Sequence, residues 1–433
     1  MAKYYDWTNG PAVLGPHSVA KHTILREYIE RYVPIVTRGG TIPNLKLLLV
    51  DGFAGGGDYV VEGEGEETHE GSPLILINAV RTAEARINLD PGRKKPMTVD
   101  ASYVFIEKNP KTCAYLRATL EKRFGQAFVR EKVTLISGAF EDHLDGILAR
   151  IKVATGRRPC PIFVLDQYGY SAIPVDMLVK IMKETSRAEV FLTLAVDHIS
   201  AHARTSEEAL ARLRGGLGIE PHIARFVTGA RDMEEAAGLS REDRVELMRW
   251  IQRFLHETFA RRSGAACYTP FFITSKGSHR SYWFLHLANN PRANDVVKAL
   301  HWRVSNHFEH FGREGTVMLG FDPTRSTPQI SFDFGDTARD RTVRALVEEL
   351  PAIIQAKYPN GVMHKDLYGD LCNETPADKD ILGEAVNLLC ANYVLDKEGA
   401  GGEERESATK VKDSDKIRLA RRPGLFSKLP PRT

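Results

Sequence analysis

The stretch Leu45-Lys46-Leu47-Leu48-Leu49-Val50-Asp51-Gly52-Phe53-Ala54-Gly55-Gly56-Gly57 decides the fold. Its first six residues, apolar but for one lysine, suit a strand buried on both faces, and such strands belong to parallel sheets. Asp51 and the glycines end the run abruptly. In an open α/β sheet, ligands bind in the crevice beyond the carboxyl ends of the strands, and glycines there let backbone approach them closely. Two phosphate-binding readings fail. A dinucleotide fingerprint needs glycine where Val60 stands, and a P-loop needs Gly-Lys-Ser/Thr, which does not follow. An acid and glycines without a cation suit a cofactor with a positive end and no phosphates, such as S-adenosylmethionine (SAM). A glycine-rich turn without a ligand is the alternative.

Outward from this point the pattern alternates. Strands are expected over 103–106, 133–136, 161–165 and 190–194, with helices over 110–124, 141–152 and 175–184 between them. A helix over 18–33, with Ser18 as N-cap, precedes the first strand. Another begins at Ser72, with Ser72 as N-cap and Pro73 at the first helical position. The acidic stretch over 62–70 reads as an exposed loop. This alternation predicts a doubly wound, Rossmann-like sheet. Residues 205–262 form a helix-rich insertion, and strands over 268–274 and 282–288, joined by Ser275-Lys276-Gly277-Ser278, add an antiparallel hairpin that makes the sheet mixed. The first domain is thus expected over 1–325. Over 340–433, helices at 341–355, 365–372 and 378–392 precede short strands at 393–395 and 416–419, the order of an α+β winged helix. Leu367, Leu371, Leu382, Val386 and Leu389 should face its core.

Composition narrows the classes. The 433 residues carry 59 Lys and Arg against 56 Asp and Glu, a formal charge of +3, so nucleic-acid contact needs a local basic patch. The basic tail, with Arg418, Arg421, Arg422, Lys428 and Arg432, is the candidate; the wing acids Glu403, Glu404 and Glu406 count against it. No apolar run suggests a membrane span and no leader is evident, so a cytoplasmic protein is expected. The five cysteines are scattered, with no C-x-x-C pair. His198 and His202 lie four apart but lack the glutamate of H-E-x-x-H and a third ligand, so no metal site is expected.

Two further acids complete the candidate site. Glu107 ends the strand at 103–106, where a carboxylate can accept hydrogen bonds from ribose hydroxyls, although its spacing from the glycines far exceeds the usual ~20 residues. Asp166 closes the strand at 161–165, followed by Gln167, Tyr168 and Gly169. In SAM-dependent amino-methyltransferases an acid or amide here accepts hydrogen bonds from the target amine and an aromatic stacks on the base. Asp166 and Tyr168 are therefore the catalytic candidates, while Gln167 departs from that pattern by replacing a proline. The bland reading of Asp166 is a strand-end cap.

Four segments, Asp51-Gly52-Phe53-Ala54-Gly55, Gly71-Ser72-Pro73-Leu74, Phe105-Ile106-Glu107-Lys108-Asn109 and Leu165-Asp166-Gln167-Tyr168-Gly169, together resemble the three-Cys-motif partner proteins. The Lys21-His22 helix and Asn373-Glu374-Thr375-Pro376 are similar to that family too, and the likeness runs over nearly the whole chain. The family is bacterial and often phage- or mobile-element-associated. It is named for a neighbouring three-Cys-motif protein that looks like a radical-SAM enzyme. The resemblance implies a class I methyltransferase-type domain using SAM, with Asp51, Gly52, Phe53, Gly55, Gly57 and Glu107 as cofactor-binding positions and the three-Cys-motif protein as partner. It supplies no substrate. Methyl transfer to DNA, RNA or a nucleotide is one expectation, and a non-catalytic SAM- or nucleotide-binding targeting subunit is the other. A phosphoryl-transfer enzyme or nuclease, lacking a P-loop lysine and a metal cluster, ranks last.

Overall fold

The computed structural model describes residues 5–61, 68–93, 95–153, 159–167, 173–195, 262–274, 281–304, 308–310, 315–316, 332–333 and 336–420. The helix-rich stretch at 205–261, His198, His202, Tyr168, the hairpin loop over 275–278 and the tail from Arg421 lie outside these residues. The chain forms two compact units, Met1–Ala293 and Asn294–Thr433, whereas the sequence pattern alone extends the first domain to 325.

The first unit is mixed α/β around one large sheet. Its elements run β1 (Ala12–Leu14), α1 (Pro16–Val36), β2 (Asn44–Asp51), β3 (Asp58–Val61), β4 (Thr68–Glu70), α2 (Ser72–Asn88), β5 (Thr98–Glu107), α3 (Pro110–Phe124), α4 (Gln126–Lys132), β6 (Val133–Ser137), α5 (Phe140–Val153), β7 (Cys160–Asp166), α6 (Val175–Glu184), β8 (Glu189–Ala195), β9 (Cys267–Thr274) and β10 (Ser281–Ala288). Within this unit the sheet order is β9-β10-β8-β7-β2-β5-β6. From β8 to β6 neighbouring strands are parallel, and β10 runs antiparallel to both β8 and β9. The chain winds outward from β2 through β5 to β6, then returns to β7 on the other side. The topological switch point therefore lies between β2 and β7, where open α/β sheets hold ligands. β2 carries Leu45, Leu47, Leu49 and Val50 at 2% exposure or less, as a central parallel strand requires.

Two helix starts differ from expectation by a few residues. Gly15 caps α1 and Ser18 lies inside it, because Pro16 already fits the first turn; likewise Gly71 caps α2, leaving Ser72 and Pro73 as its first two residues. The acidic stretch is not wholly loop. β3 and β4 pair antiparallel, and β1 joins β3 in parallel to make a small second sheet. Trp7, Ala12, Leu14, Tyr59 and Val61 form its buried cluster.

The second unit begins within α7 (Pro291–Val304) and continues through the short pair β11 (Phe308–His310) and β12 (Phe332–Asp333). Next come α8 (Asp336–Lys357), β13 (Val362–Met363), α9 (His364–Leu371), α10 (Lys379–Ala391), β14 (Leu395–Glu398) and β15 (Lys416–Leu419). The last three strands pair antiparallel in the order β13-β15-β14. Leu367, Leu371, Leu382, Val386 and Leu389 are all buried, as their spacing predicts. Tyr393 is not in a strand; it adopts φ 55° at the end of α10 and is exposed, so β14 starts at Leu395. Asp378 caps α10 by accepting the Ile381 amide at 2.8 Å. The Asn373–Pro376 joint is gripped from α7: the buried Lys298 ammonium donates to the Cys372 carbonyl and, at 2.6 Å, to that of Thr375, and the Trp302 indole donates to Pro376 at 2.9 Å. Among the described residues no helix is long and apolar enough to cross a membrane.

Candidate cofactor and acceptor site

Register builds the site. Asp51, the last residue of β2, lies beside Phe105 of β5 and Val164 of β7. Both neighbours run two residues further, so Glu107 and Asp166 stand beyond Asp51 on either side. Three carboxylates thus crowd the carboxyl ends of three adjacent parallel strands at the switch point. The turn after β2 is pinned to both flanks: the Gly52 amide donates to Val164 and the Ala54 amide to Ile106, each at 2.9 Å.

Asp51 is completely buried. Its Oδ1 accepts the Phe53 amide at 3.0 Å, while its Oδ2 has no hydrogen-bond partner among the described residues. Burial pushes the carboxyl up to about 7, against the opposing pull of the Ser72 hydroxyl and the Phe53 amide; the negative charges of Asp166 and Glu107 add to the rise. A buried carboxylate oxygen without a donor is costly unless something arrives to satisfy it. Phe53 itself is half-buried, its ring 6.4 Å from that of Phe140.

Glu107 acts first on the protein itself. Its Oε2 accepts the Gly55 amide at 3.0 Å and its Oε1 the Asn109 amide at 2.8 Å, so one side chain ties the glycine turn to the start of α3. Each oxygen keeps a second lone pair, which a hydroxyl donor could use.

The glycine turn owes part of its composition to packing. Gly57 has φ 91°, where a side chain would be strained, and a Cβ there would also meet Leu116 at 2.8 Å. A Cβ on Gly56 would meet the Trp7 indole at 2.5 Å. Trp7 lies over the turn and donates its indole N–H to the Asp58 carbonyl at 2.9 Å. Its ring and those of Tyr5 and Tyr59 pack edge to face or tilted, with centroids 5.3–5.9 Å apart. Residues 5–14 give no signal in the sequence, because a short aromatic segment carries no period; the packed tryptophan is visible only in the fold.

Asp166 has a partner that the sequence does not reveal. The ammonium of Lys21, on α1, donates to both of its carboxylate oxygens at 2.6 Å. Lys21 is 8% exposed and Asp166 28%. Burial alone would raise the Asp166 carboxyl, but the charge and hydrogen bonds of Lys21, with the Thr193 hydroxyl and His22, hold it below its usual value. His22 is pushed the other way, down to about 4, by burial and by the Lys21 charge. Lys21 and Asp166 are 145 residues apart in sequence, so no local pattern could join them. Among the described residues no cluster of three or more His, Cys, Asp or Glu could hold a metal ion.

No family model matches the chain, and no curated protein matches it. Solved structures give only distant likenesses. An rRNA-methylase candidate from Clostridium thermocellum shares 8% identity over 62% of this chain and 96% of its own, with a TM-score of 0.25. The plantazolicin methyltransferase BamL, solved with a triazolic desmethyl plantazolicin analogue and S-adenosylhomocysteine (SAH), shares 11% over 63% and 85%, with a TM-score of 0.24. A class I SAM-dependent methyltransferase candidate from Listeria monocytogenes shares 9% over 60% of each chain, with a TM-score of 0.23. Scores this low carry no argument about fold or chemistry, so the functional reading rests on the site.

Proposed function

We propose that the first unit is a class I methyltransferase-type, SAM-dependent enzyme acting on a nucleic acid or nucleotide. The observation that carries this is the trio Asp51, Glu107 and Asp166 on neighbouring parallel strands at the switch point, with one buried oxygen of Asp51 lacking a donor. The strand order supports it: a parallel sheet wound both ways from β2 and closed by an antiparallel β10 is the mixed sheet expected of that fold.

The residues fit SAM. The orphaned Asp51 oxygen would receive its ammonium end, the spare lone pairs of Glu107 its ribose hydroxyls, and the amide-rich turn over Gly52, Phe53, Gly55 and Gly57 would lie alongside. SAM supplies an activated methyl group on a sulfonium. The chain's own work is then alignment and exclusion of water. Asp51 keeps one buried oxygen without a donor, Glu107 fixes the turn, Trp7 shields it, and Asp166 offers acceptor lone pairs to the atom to be methylated. Calorimetric titration of SAH is the test. Wild type is expected to bind, and Glu107→Ala to bind more weakly by about 1.5–3 kcal/mol, the worth of hydrogen bonds to a charged group. No heat with wild type removes the cofactor from the reading, and equal affinities remove Glu107.

For the second unit the reading is a winged helix serving to dock a three-Cys-motif partner protein. Its element order, α8-β13-α9-α10-β14-β15, is that of a winged helix. Between 379 and 419 stand seven basic residues against nine acids. Most of the basic ones are engaged internally: Arg405 on Asp415, Lys379 on Asp413, Lys410 on Asp380, and Arg418 on Asp396 and Glu398. That favours a protein surface over a phosphate backbone. Co-purification of the two proteins, lost when residues 336–433 are removed, is the expected result; retention without them assigns docking elsewhere.

A further inference from the structure

We propose that Lys21 is a positioning residue for Asp166: from α1 its ammonium grips both carboxylate oxygens and presents the acceptor end of the crevice with a neutralised pair. The inference rests on the reading of Asp166 as the acceptor-facing acid.

Geometry carries it. A single Lys nitrogen equidistant from Oδ1 and Oδ2, at 2.6 Å from each, fixes the plane of the carboxylate. The ammonium is nearly dry, with Lys21 8% and Asp166 28% exposed, so the pair is not one of the fully exposed ones that contribute little. A lysine is rarely buried without a partner, and Lys21 is held on a helix whose other inward residues, Ile24, Leu25, Tyr28 and Ile29, are all at 4% exposure or less. The ammonium therefore cannot swing away without dragging its stem out of a packed surface. What remains available on Asp166 is the lone-pair capacity that Lys21 and the Thr193 hydroxyl leave unused, directed by the grip. A hydrogen-bond donor can use those lone pairs, whereas a cation meets a pair whose charge is already cancelled.

Among the described residues, the groups facing Asp166 include Lys21 and His22 from α1, Tyr59 from β3, Thr193 from β8, and Asp51 from β2. Near pH 7 Lys21 is the one of these that brings a full positive charge against the carboxylate; His22, pushed down to about 4, adds its charge only in acid. Removing Lys21 should therefore move the titration of Asp166 specifically.

The test needs neither SAM nor acceptor. Carbon-13 carboxyl NMR follows Asp166, assigned by its loss in Asp166→Asn, through a pH titration of the full chain. Lys21→Met is expected to raise the Asp166 midpoint by about 1–3 pH units, the usual effect of an adjacent opposite charge, and Lys21→Arg to restore most of the wild-type value. An unmoved midpoint in a folded Lys21→Met overturns the proposal. Should Lys21→Met fail to fold, the double variant Lys21→Met/Asp166→Asn decides. Its recovery of the folded state shows that the bare carboxylate was the cause, as the proposal requires. Its failure makes Lys21 a core residue and overturns the proposal. SAH titration of the same samples reads the methyltransferase proposal separately: heat with an unmoved Asp166 sinks only the role of Lys21, and a shifted Asp166 without heat sinks only the cofactor.

Discussion

Buried charge is handled in opposite ways by the two units. In the second, one guanidinium nitrogen of Arg405 donates to both carboxylate oxygens of Asp415, at 12% and 1% exposure, in the turn between β14 and β15. Lys298 and the buried Lys397 each donate to backbone carbonyls, and Lys397 also to Asn387 at 2.7 Å. One exception among the described residues is His364, with neither ring nitrogen hydrogen-bonded, which burial drives down to about 4 and so keeps neutral. In the crevice of the first unit, by contrast, a fully buried carboxyl keeps an oxygen without a donor, and two more acids stand beside it. Satisfied polar groups mark architecture. Unsatisfied ones that carry charge mark a place left for something else.

The largest effect should come from breaking the satisfied region. Asp415→Ala leaves the half-buried Arg405 without its carboxylate, and splitting a largely buried pair costs about 3–5 kcal/mol. Chemical denaturation should show that loss, while the heat of SAH binding stays that of wild type. A smaller cost, near that of an exposed pair, would mean that the turn relaxes and lets water reach Arg405, and the contrast between the units would weaken.

Next in size is Asp51. Its folded carboxyl titrates near 7 instead of 3.8. Between those values the folded state holds a proton that the unfolded state has released, so this group's contribution falls as pH rises from about 4 to about 7 and is level above that. Asp51→Asn should flatten that slope in stability measured against pH. Binding runs the other way, because a cationic ligand needs the ionised acid. SAH affinity should weaken about tenfold for each pH unit below 7, and Asp51→Asn should abolish this dependence along with most of the affinity. A wild-type affinity flat from pH 5 to 8 would remove the ammonium from Asp51.

How far the sequence is legible follows from the range of each signal. The buried strand β2, the alternation that follows it and the hairpin β9–β10 are local patterns, and they lie within a few residues of where periodicity puts them. So does the placing of Asp51, Glu107 and Asp166 at strand ends, since a strand's end is itself a local event. Pairings across the fold are not legible. Lys21 meets Asp166 because α1 packs near β7, and Trp7 explains Gly56 because β1 joins β3. Neither follows from spacing. Ser18 and Ser72 show the opposite failure, a sound local preference displaced because a proline and a glycine just upstream start the helix sooner.

The smallest expected effect bears on what the second unit touches. Lys410 and Asp380 pair at 2.8 Å with side chains 79% and 69% exposed. Such a pair is worth at most about 1 kcal/mol and often nothing measurable, so Lys410→Ala should leave stability within about 0.5 kcal/mol of wild type. Its value lies in a second readout. Asp380 lies in the first turn of α10, the helix that would enter a groove if the second unit read duplex DNA. There Lys410 would be one of the few cations near the backbone. Each phosphate that a variant no longer neutralises lowers the slope of log affinity against log salt by about 0.9. Duplex affinity measured at two salt concentrations should therefore be the same for wild type and Lys410→Ala if α10 faces a protein. A slope reduced by about one unit would place phosphate at the head of α10 and overturn the docking reading in favour of nucleic acid.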